Sequence, residues 1–543
     1  MTSYCSLTFL GVFLPAAVAA YALSPRRLRP WALLAASYAF YWEVSGRLIL
    51  YLVFTTLSIY GVGLGLAALQ DREKECRRLE REQKGRQIMD RGESRQESRL
   101  LRARFQRRKK MLLILGAALQ LAVLIVLKYS AFFASNINNL SGLLGLSAAV
   151  PVPSFVLPVG ISFYTLQAVS YLADVCRGNI QADRSLPRLA LYMAFFPQIM
   201  EGPICRYGQT AEQLWEGRPV TFRGLVFGMQ RVGFGLLKKI VIADRLNIVI
   251  KEIYGNYTAY DGGIIALGMV MYTCQLYMEF SGTMDVVIGA GEIFGLTLPE
   301  NFRRPFLARS ISQFWHRWHI TLGTWFKDYI FYPITTSRPL TRLARRLKGR
   351  LGSHGAAVLS SGTALFAVWL GNGLWHGAGW SYIFFGMYHF AWIMFENITE
   401  PGMKSFAGRH GINRESRPYR IMQIVRTALI VCVGELFFRA EGLRAGLAMF
   451  GRMVTDFTLA SFRDGTVWKL GMDGKDYGIA AAALLIVAAV HILAERGTDV
   501  REKLFHCPAV WRIAVSLGLV LFIIVFGAYG TGYVPVDPIY AGF

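Results

Sequence analysis

The sequence predicts an all-α, polytopic membrane protein with roughly 11 to 13 transmembrane helices and with interfacial or re-entrant helices around a central cavity. The first observation is composition, since 54% of the 543 residues are hydrophobic and only 17% are charged. One soluble core cannot bury so many apolar side chains, and a water-soluble chain of this length would divide into domains. The second is the recurrence of apolar stretches of about 20 residues, the length that crosses a bilayer as a helix.

The charge distribution argues against nucleic-acid binding. The net charge is +24, but the basic residues cluster in loops and at segment ends and do not alternate with aromatic residues along a face. This distribution is typical of the cytoplasmic loops of membrane proteins. The seven cysteines are scattered, with no CxxC pair, so neither a metal site nor a disulfide framework is indicated.

The N-terminal region contains apolar segments separated by basic loops. Residues 7–23 form an apolar helix that we expect to be retained, because no basic segment precedes it and no clear cleavage site follows it. A basic loop, Ser24–Pro30, leads to a hydrophobic hairpin from Trp31 to about Leu69. Residues 70–110 are a charged loop, which we interpret as a solvated helical or disordered linker in preference to a docking element. The positive-inside rule places both basic loops in the cytosol and the N-terminus outside.

The later apolar stretches predict the remaining membrane crossings. Residues 135–157 and 440–475 are expected to be external loops or interfacial segments. Because glycine and proline interrupt several spans, and irregular backbone survives at membrane depth only beside protein or water, we expect a cavity. The predicted spans lie near 111–133, 158–175, 187–204, 222–242, 262–295, 355–376, 379–397, 421–438, 477–495 and 510–530.

Histidines inside such a chain are candidates for function, because ionisable groups at membrane depth are costly. Trp315, His316, Trp318 and His319 have i, i+3 spacing, which on a helix would place both histidines on one face and both indoles on another. Glycines flank His376, and they permit a bend or the close approach of a substrate or another backbone.

The basic stretch after Asn301 is too charged for a plain membrane span. Aromatic and apolar residues from Phe314 to Tyr329 keep roughly helical spacing, which predicts an amphipathic helix partly sunk in the interface. Its basic residues could attract the phosphates of coenzyme A or an acidic acyl carrier. The positive-inside rule explains them equally well without any ligand.

Polar residues in two apolar segments leave two interpretations open. Gln275 and Glu279 share a helix face and either line an aqueous cavity or pair with a lysine or arginine of a neighbouring helix, which is the interpretation we favour. Arg206 either neutralises a phosphate of the donor or extends its side chain to the membrane surface. We expect a hydrogen bond to hold His389 in an aromatic helix, and His316 to face solvent or lipid headgroups.

Two motifs carry a family resemblance. Arg317–Leu322 with Trp325–Tyr329, and Leu374–Gly377, are similar to the two histidine motifs of the membrane-bound O-acyltransferase family. Its bacterial branch includes the membrane acetyltransferase of alginate modification and the membrane acyltransferase of teichoic-acid D-alanylation. Further matches to that branch are Lys128–Tyr129, Leu157–Tyr164, Phe195–Gln198, Gly202–Ile204, Lys238–Asp244, Phe280–Gly282 and Pro299–Phe302.

The resemblance implies a single domain over residues 1–543 with a catalytic core at 299–389. It also implies a multi-pass protein of the inner membrane that transfers an acyl group, most simply acetyl, from a cytosolic thioester. Acetyl-CoA or an acyl carrier would be a co-substrate, with no cofactor tightly bound. The acceptor would be a hydroxyl of an extracytoplasmic polysaccharide or of a partner acyltransferase.

Acyl transfer to a hydroxyl needs a base with a pKa near neutral, and histidine suits that need. His376, in the second motif, is the expected general base, and His319 the second catalytic residue. The expected substrate-binding residues are Trp318, Trp375, Asn372, Arg206, Gln275 and Glu279.

The sequence departs from the family pattern at Glu201, Glu279, Thr283 and the tail Ile539–Phe543, and the departures at Glu201 and in the tail leave the polymer and the partner open. Two other classes remain as alternatives. A flippase of lipid-linked sugars would share broken helices and buried charge, but an inverted internal repeat is not evident. A noncatalytic scaffold of a polymer-export complex would leave the two histidine motifs unexplained.

Overall fold

A computed structural model describes residues 3–84, 91–146 and 149–529. Apart from an isolated antiparallel bridge, these residues form helices and their connections. Seven of the described helical stretches are long and apolar enough to cross a membrane, so the prediction of an all-α, multi-pass membrane protein is confirmed. The seven are Arg29–Glu80, Gln96–Leu143, Gly262–Ile293, Arg338–His376, Arg417–Arg439, Gly474–Glu495 and Ala509–Phe526.

The chain divides into two compact units, of which the first comprises Phe13–Pro219. The hairpin predicted from Trp31 turns at Gly46, which adopts φ 52° and starts a short 3-10 turn, Gly46–Leu48, before the next helix. The helices of this unit are α1 Leu14–Leu23, α2 Arg29–Ser45, α3 Ile49–Lys84, α4 Arg91–Leu143, α5 Ile161–Arg177, α6 Leu186–Ala194 and α7 Tyr207–Glu216.

The charged run is helical wherever the structure describes it. It forms the end of α3 and the start of α4, and Lys109 Nζ lies 2.8 Å from Glu73 Oε2 between the two helices. Both side chains of this ion pair are largely buried. A buried pair of this kind fixes the packing of α3 against α4, so this part of the run is not a disordered linker.

Two predicted boundaries in the first unit are wrong. The helix expected over 187–204 ends at Ala194, because Pro197 cannot donate to a helical carbonyl and the chain turns instead. A Cβ at Gly202 would lie 2.3 Å from Gln198 Cα, so only glycine allows this tight turn. The loop expected from residue 135 starts later, because α4 continues to Leu143.

Among the described residues, the second unit contains residues 3–12 and 220–529. Two π-helical turns, Leu237–Ala243 and Lys327–Phe331, interrupt its helical segments. Its α-helices are α8 Phe222–Leu236, α9 Asp244–Gly255, α10 Gly262–Ile293, α11 Ile311–Arg317, α12 Ile320–Phe326, α13 Tyr332–Thr335, α14 Arg338–His376, α15 Trp380–Arg409, α16 Arg417–Arg439, α17 Leu443–Thr455, α18 Ala460–Arg463, α19 Gly474–Glu495, α20 Val500–His506 and α21 Ala509–Phe526.

Helix α10 is the most deeply buried long helix described in this unit, and it begins where Asp261 accepts a hydrogen bond from the Ile264 amide at 2.9 Å. It packs against α8 through two pairs of glycines. A Cβ at Gly235 would lie 2.5 Å from the Gly282 carbonyl oxygen, and one at Gly228 the same distance from that of Gly289. The glycines therefore let the two backbones approach closely, as small residues do in membrane helix pairs.

The tail Ile539–Phe543, where the sequence departs from the family pattern, lies outside the described residues. The expected segments of 440–475 are the short helices α17 and α18 and a 3-10 turn. Helix α14 bends at Gly352, where φ is 70°. The bend separates its basic first part from the apolar part that ends at His376.

The glycine contacts give a direct test of the α8–α10 packing. Gly235→Ala should lower the free energy of unfolding by about 1–3 kcal/mol, because the new methyl group overlaps a backbone oxygen that cannot move alone. Thermal unfolding of the purified protein in detergent measures the change. Gly478→Ala on α19 is the matched control, since a Cβ there has no neighbour within 4 Å. Equal thermal stability of the two variants would contradict the packing argument.

Candidate active site

His319 lies at a break between two short helices. Helix α11 ends at Arg317, Trp318 is extended, and His319 has φ 45° and ψ 52° as the residue before α12. The prediction of a single helix is therefore wrong, and His316 and His319 do not share a helical face. His316 is exposed at the end of α11, as expected, with Nδ1 2.6 Å from the Ser312 carbonyl oxygen.

The segment after Pro299 fixes this break. Phe302 and Trp318 form an antiparallel bridge, and the Arg303 amide donates to the Arg317 carbonyl at 2.9 Å. On the other side of His319, the Ile320 amide donates to the Asn301 carbonyl at 3.0 Å. Backbone hydrogen bonds to residues 301–303 therefore hold the chain immediately before and after His319.

Aromatic rings surround the His319 imidazole. Its side chain is buried, with ring centroids 4.8 Å from Phe280 and 5.6 Å from Trp375. His319 lies outside the seven helices long enough to cross a membrane, and burial lowers its pKa to about 3. The imidazole is therefore neutral near pH 7, which leaves one ring nitrogen as a proton acceptor.

His376 is the last residue of α14 and is also buried. Its ring centroid lies 5.0 Å from that of Trp375, 6.0 Å from Phe385 and 5.1 Å from Phe438. Trp375 therefore contacts both histidines, which places the two sequence motifs in one cluster. The catalytic roles expected of His319 and His376 stay predictions, and the structure shows that both rings contact Trp375.

The glycines around His376 contact the protein itself. A Cβ at Gly377 would lie 2.2 Å from the Tyr382 ring, and one at Gly373 2.5 Å from the Tyr382 carbonyl oxygen. Both expectations for these glycines are met, because the chain leaves the helix after His376 at the extended Gly377 and Tyr382 approaches the glycines closely. They pack α14 against the start of α15.

The other expected binding residues are divided between the two units. Trp318 and Asn372 are buried in the second unit, and the described residues offer no hydrogen-bond partner to Asn372 Oδ1. Arg206 belongs to the first unit, where it precedes α7 and its amide donates to Gln209 Oε1 at 3.0 Å.

Glu279 takes part in a buried ion pair. Its Oε2 lies 2.7 Å from Lys239 Nζ, and the same lysine is 2.7 Å from Asp244 Oδ1. This arrangement is the pairing that we favoured over cavity lining. Gln275, one turn earlier on α10, donates weakly to Asn247 Oδ1 at 3.5 Å.

His389 differs from its expectation. It is fully buried, but among the described residues neither of its ring nitrogens has a hydrogen-bond partner. Its ring centroid lies 4.8 Å from Trp315, 5.5 Å from Trp369 and 4.8 Å from Phe385. A Cβ at Gly434 of α16 would be 2.5 Å from His389 Nε2, so the imidazole fills a close-packed aromatic site.

Sequence reasoning gave no role to Asn301 and Phe280, which touch the His319 region. Both lie in segments that indicated only the family resemblance. No residue spacing connects them with His319, because the contacts come from tertiary structure. A pocket of about 620 Å³ lies elsewhere in the second unit, beside Arg309, Glu396 and Arg426, and neither catalytic candidate lines it. No group of metal-ligating side chains occurs among the residues that the structure describes.

Comparisons with known proteins identify the family. The model of the membrane-bound O-acyltransferase family matches residues 149–348. Probable alginate O-acetylase AlgI of Pseudomonas syringae pv. tomato is 32% identical over 454 residues, which cover 83% of this chain and 74% of that protein. The chain belongs to the membrane-bound O-acyltransferase family. The flippase and scaffold alternatives are therefore not favoured, and the chain is an acyltransferase.

Two other relatives of this membrane-bound O-acyltransferase act on different polymers by name. Peptidoglycan O-acetyltransferase of Helicobacter pylori is 29% identical over 374 residues, 64% of this chain and 65% of that protein. Teichoic acid D-alanyltransferase of Bacillus subtilis is 28% identical over 304 residues, 54% of this chain and 71% of that protein. The family model includes His319 but stops before His376, which only the longer pairwise matches can reach.

A pair of histidine variants tests which imidazole reacts. His376→Ala should lower the specific activity of acyl transfer by about 10²–10⁴-fold, as the loss of a general base does. His389→Ala should instead lower the free energy of unfolding by about 1–3 kcal/mol, because it empties a close-packed site. Activity per folded molecule and thermal unfolding, measured on both variants, separate the two effects. Full activity of folded His376→Ala protein would exclude His376 as the base.

Proposed function

We propose that this membrane-bound O-acyltransferase is an O-acetyltransferase of the inner membrane. It takes an acetyl group from a cytosolic thioester, either acetyl-CoA or an acyl carrier. It passes this group to an extracytoplasmic hydroxyl, on a cell-envelope polysaccharide or on a partner protein that completes the transfer. The observation that carries the proposal is the placement of two buried histidines against one indole, with His376 at the end of the long apolar part of α14.

His376 acts as the general base in this proposal. Its imidazole accepts the proton of the acceptor hydroxyl while the oxygen attacks the thioester carbonyl. The carbon–sulfur bond then breaks, the thiolate leaves, and the proton held by His376 returns to the sulfur. His319, neutral and buried, donates a hydrogen bond from one ring nitrogen to the carbonyl oxygen on which negative charge develops.

The aromatic surroundings support this chemistry. Rings of Phe280, Trp375, Phe385 and Phe438 exclude water from the two imidazoles. Electrostatic interactions are stronger where water is excluded, so a single imidazole donor stabilises a developing oxyanion more than it would in solution. Exclusion of water also protects the thioester from hydrolysis.

The relatives favour acetyl over D-alanyl as the transferred group. The alginate O-acetylase match covers 83% of this chain, whereas the D-alanyltransferase match covers 54%.

A cytosolic donor is consistent with the basic first part of α14. Its charged side chains precede the bend at Gly352 and are mostly exposed. Coenzyme A and the phosphopantetheine arm of an acyl carrier both carry phosphate, which a basic surface attracts. The basic residues concerned are Arg338, Arg342, Arg345, Arg346, Lys348 and Arg350.

The transferred group can be identified on the cell envelope. We expect envelope polysaccharide from cells that lack this protein to release less acetate on mild alkaline hydrolysis than polysaccharide from cells that contain it. Mass spectrometry of the polymers locates the missing ester. The His376→Ala variant, expressed at the same level, is the control and should behave as the deletion does. Loss of D-alanine rather than acetate would replace the acetyl proposal, and no change in any ester would refute an acyl-transfer role in the envelope.

The sidedness of the reaction is tested in liposomes that contain the purified protein. With acetyl-CoA inside and an acceptor polysaccharide outside, acetyl ester should form on the acceptor, because one site joins substrates from the two faces. A matched preparation with both substrates on one side is the control. Transfer that requires both substrates in the same compartment would exclude passage through the membrane while leaving the histidine roles intact.

A further inference from the structure

The backbone of His319 is the unusual conformation from which this inference starts. His319 and Arg304 are the non-glycine residues with positive φ among those described, and His319 has φ 45° and ψ 52°. A side chain with a Cβ is disfavoured in this left-handed region, so the surrounding structure must hold it there. Such conformations persist where neighbouring contacts over-determine them, and they cluster at functional sites.

Asn301 makes the contacts that hold it. This residue is fully buried, and its Oδ1 accepts hydrogen bonds from the Thr321 amide at 3.0 Å and the Thr321 hydroxyl at 2.7 Å. Its backbone carbonyl accepts from the Ile320 amide at 3.0 Å. Asn301 therefore accepts hydrogen bonds from the first two amides of α12, those of Ile320 and Thr321, which directly follow His319. These amides would otherwise be unpaired donors of a helix start.

The opposite side of Asn301 is anchored to the long helices. Its Nδ2 lies 3.1 Å from Met284 Sδ on α10. The preceding residue, Glu300, accepts two hydrogen bonds from Arg231 of α8, at 2.8 and 2.6 Å. Arg231 is itself 3.1 Å from Asp285 on α10. The segment that contains Asn301 and is hydrogen-bonded to the start of α12 is thus attached to the glycine-packed pair α8 and α10.

We propose that Asn301 is a positioning residue that holds His319 in its left-handed conformation and so places the imidazole against Trp375, which also contacts His376. The proposal rests on the role proposed above for His319 in acyl transfer. Asn301 itself touches no reacting atom. It acts through Thr321 and the start of α12, and its amide supplies an acceptor and an anchor at the same time.

The geometry explains why a smaller side chain would not serve. Alanine at position 301 removes Oδ1 and leaves the Thr321 amide and hydroxyl without the acceptor that they share. The helix start can then relax, and His319 can leave the left-handed region for a more favourable one. A displacement of about 1 Å at a catalytic group is enough to lower a rate by about 10²-fold.

Kinetics of three variants test the proposal. Asn301→Ala should lower kcat by about 10²-fold with little change in the KM of either substrate. Thr321→Val, which removes only the hydroxyl bond, should have a smaller effect, and Thr321→Ser, which keeps the hydroxyl, should be close to wild type. Gln120→Ala is the matched control, because it removes a buried amide bonded to Ser58 at 2.7 Å in the first unit. A kcat close to wild type in Thr321→Ser, together with a lower kcat in Thr321→Val, distinguishes loss of positioning from general loss of stability.

A second measurement reports the position of His319 without activity. Diethyl pyrocarbonate modifies accessible histidines, and trypsin cleavage after Arg317 and Lys327 gives a peptide in which His319 is the histidine. His319 should be protected in the wild-type protein and should label several-fold faster in Asn301→Ala. His316, which is exposed and lies in the preceding peptide, should label equally in both. Thermal unfolding corrects for any unfolded fraction.

The outcomes separate this inference from the proposed function. Unchanged labelling of His319 in folded Asn301→Ala, or a loss of kcat no larger than the loss of folded protein, would overturn the positioning role. If Asn301→Ala does not fold, the Thr321→Val and Thr321→Ser pair decides by the same two measurements. If the wild-type protein transfers no acyl group, the proposed function fails, and the labelling still decides whether Asn301 fixes His319.

Discussion

The helices of the second unit depend on buried ion pairs, because a charge taken out of water is costly unless an opposite charge compensates it. Lys239 is held between Glu279 and Asp244, and Arg231 between Glu300 and Asp285. Removal of one partner from such a buried pair leaves an uncompensated charge, which costs about 3–5 kcal/mol. The ion pairs therefore fix the register of α8 and α10 and the path of the chain that leaves α10. The position of His319 depends on that path.

The sequence was a good guide where an apolar run is continuous and has about the length of a bilayer crossing. The expected spans near 262–295, 421–438 and 477–495 correspond closely to α10, α16 and α19. The charged or turn-forming residues that flank such a run mark the two ends of the predicted helix. The span expected over 187–204 failed because the apolar residues continue past Ala194 although Pro197 ends the helix. Hydropathy does not distinguish a buried turn from a buried helix.

The candidate site could be predicted in its residues but not in its geometry. The two motifs identified His319 and His376, and Trp375 contacts both rings. The helical spacing around His319 was misleading, because Asn301 and Phe302 break the helix from elsewhere in the chain. Left-handed backbone in a single non-glycine residue leaves no periodic signal. In the same way, the glycines beside His376 predicted a close approach without showing that Tyr382 is what approaches.

The glycine contacts between helices have a mechanical consequence. A slide of α8 along α10 by a single residue would drive a side chain into a carbonyl oxygen, so the two helices can move only as one stiff body. Helix α14 is locked to α15 in the same manner, since a Cβ at Gly386 would lie 2.3 Å from the Trp369 carbonyl oxygen. His376 therefore lies at the end of a rigid pair of helices and cannot move independently of α15. Substrates must therefore enter and leave where other parts of the protein can repack, because the helices of the α8–α10 and α14–α15 pairs do not separate.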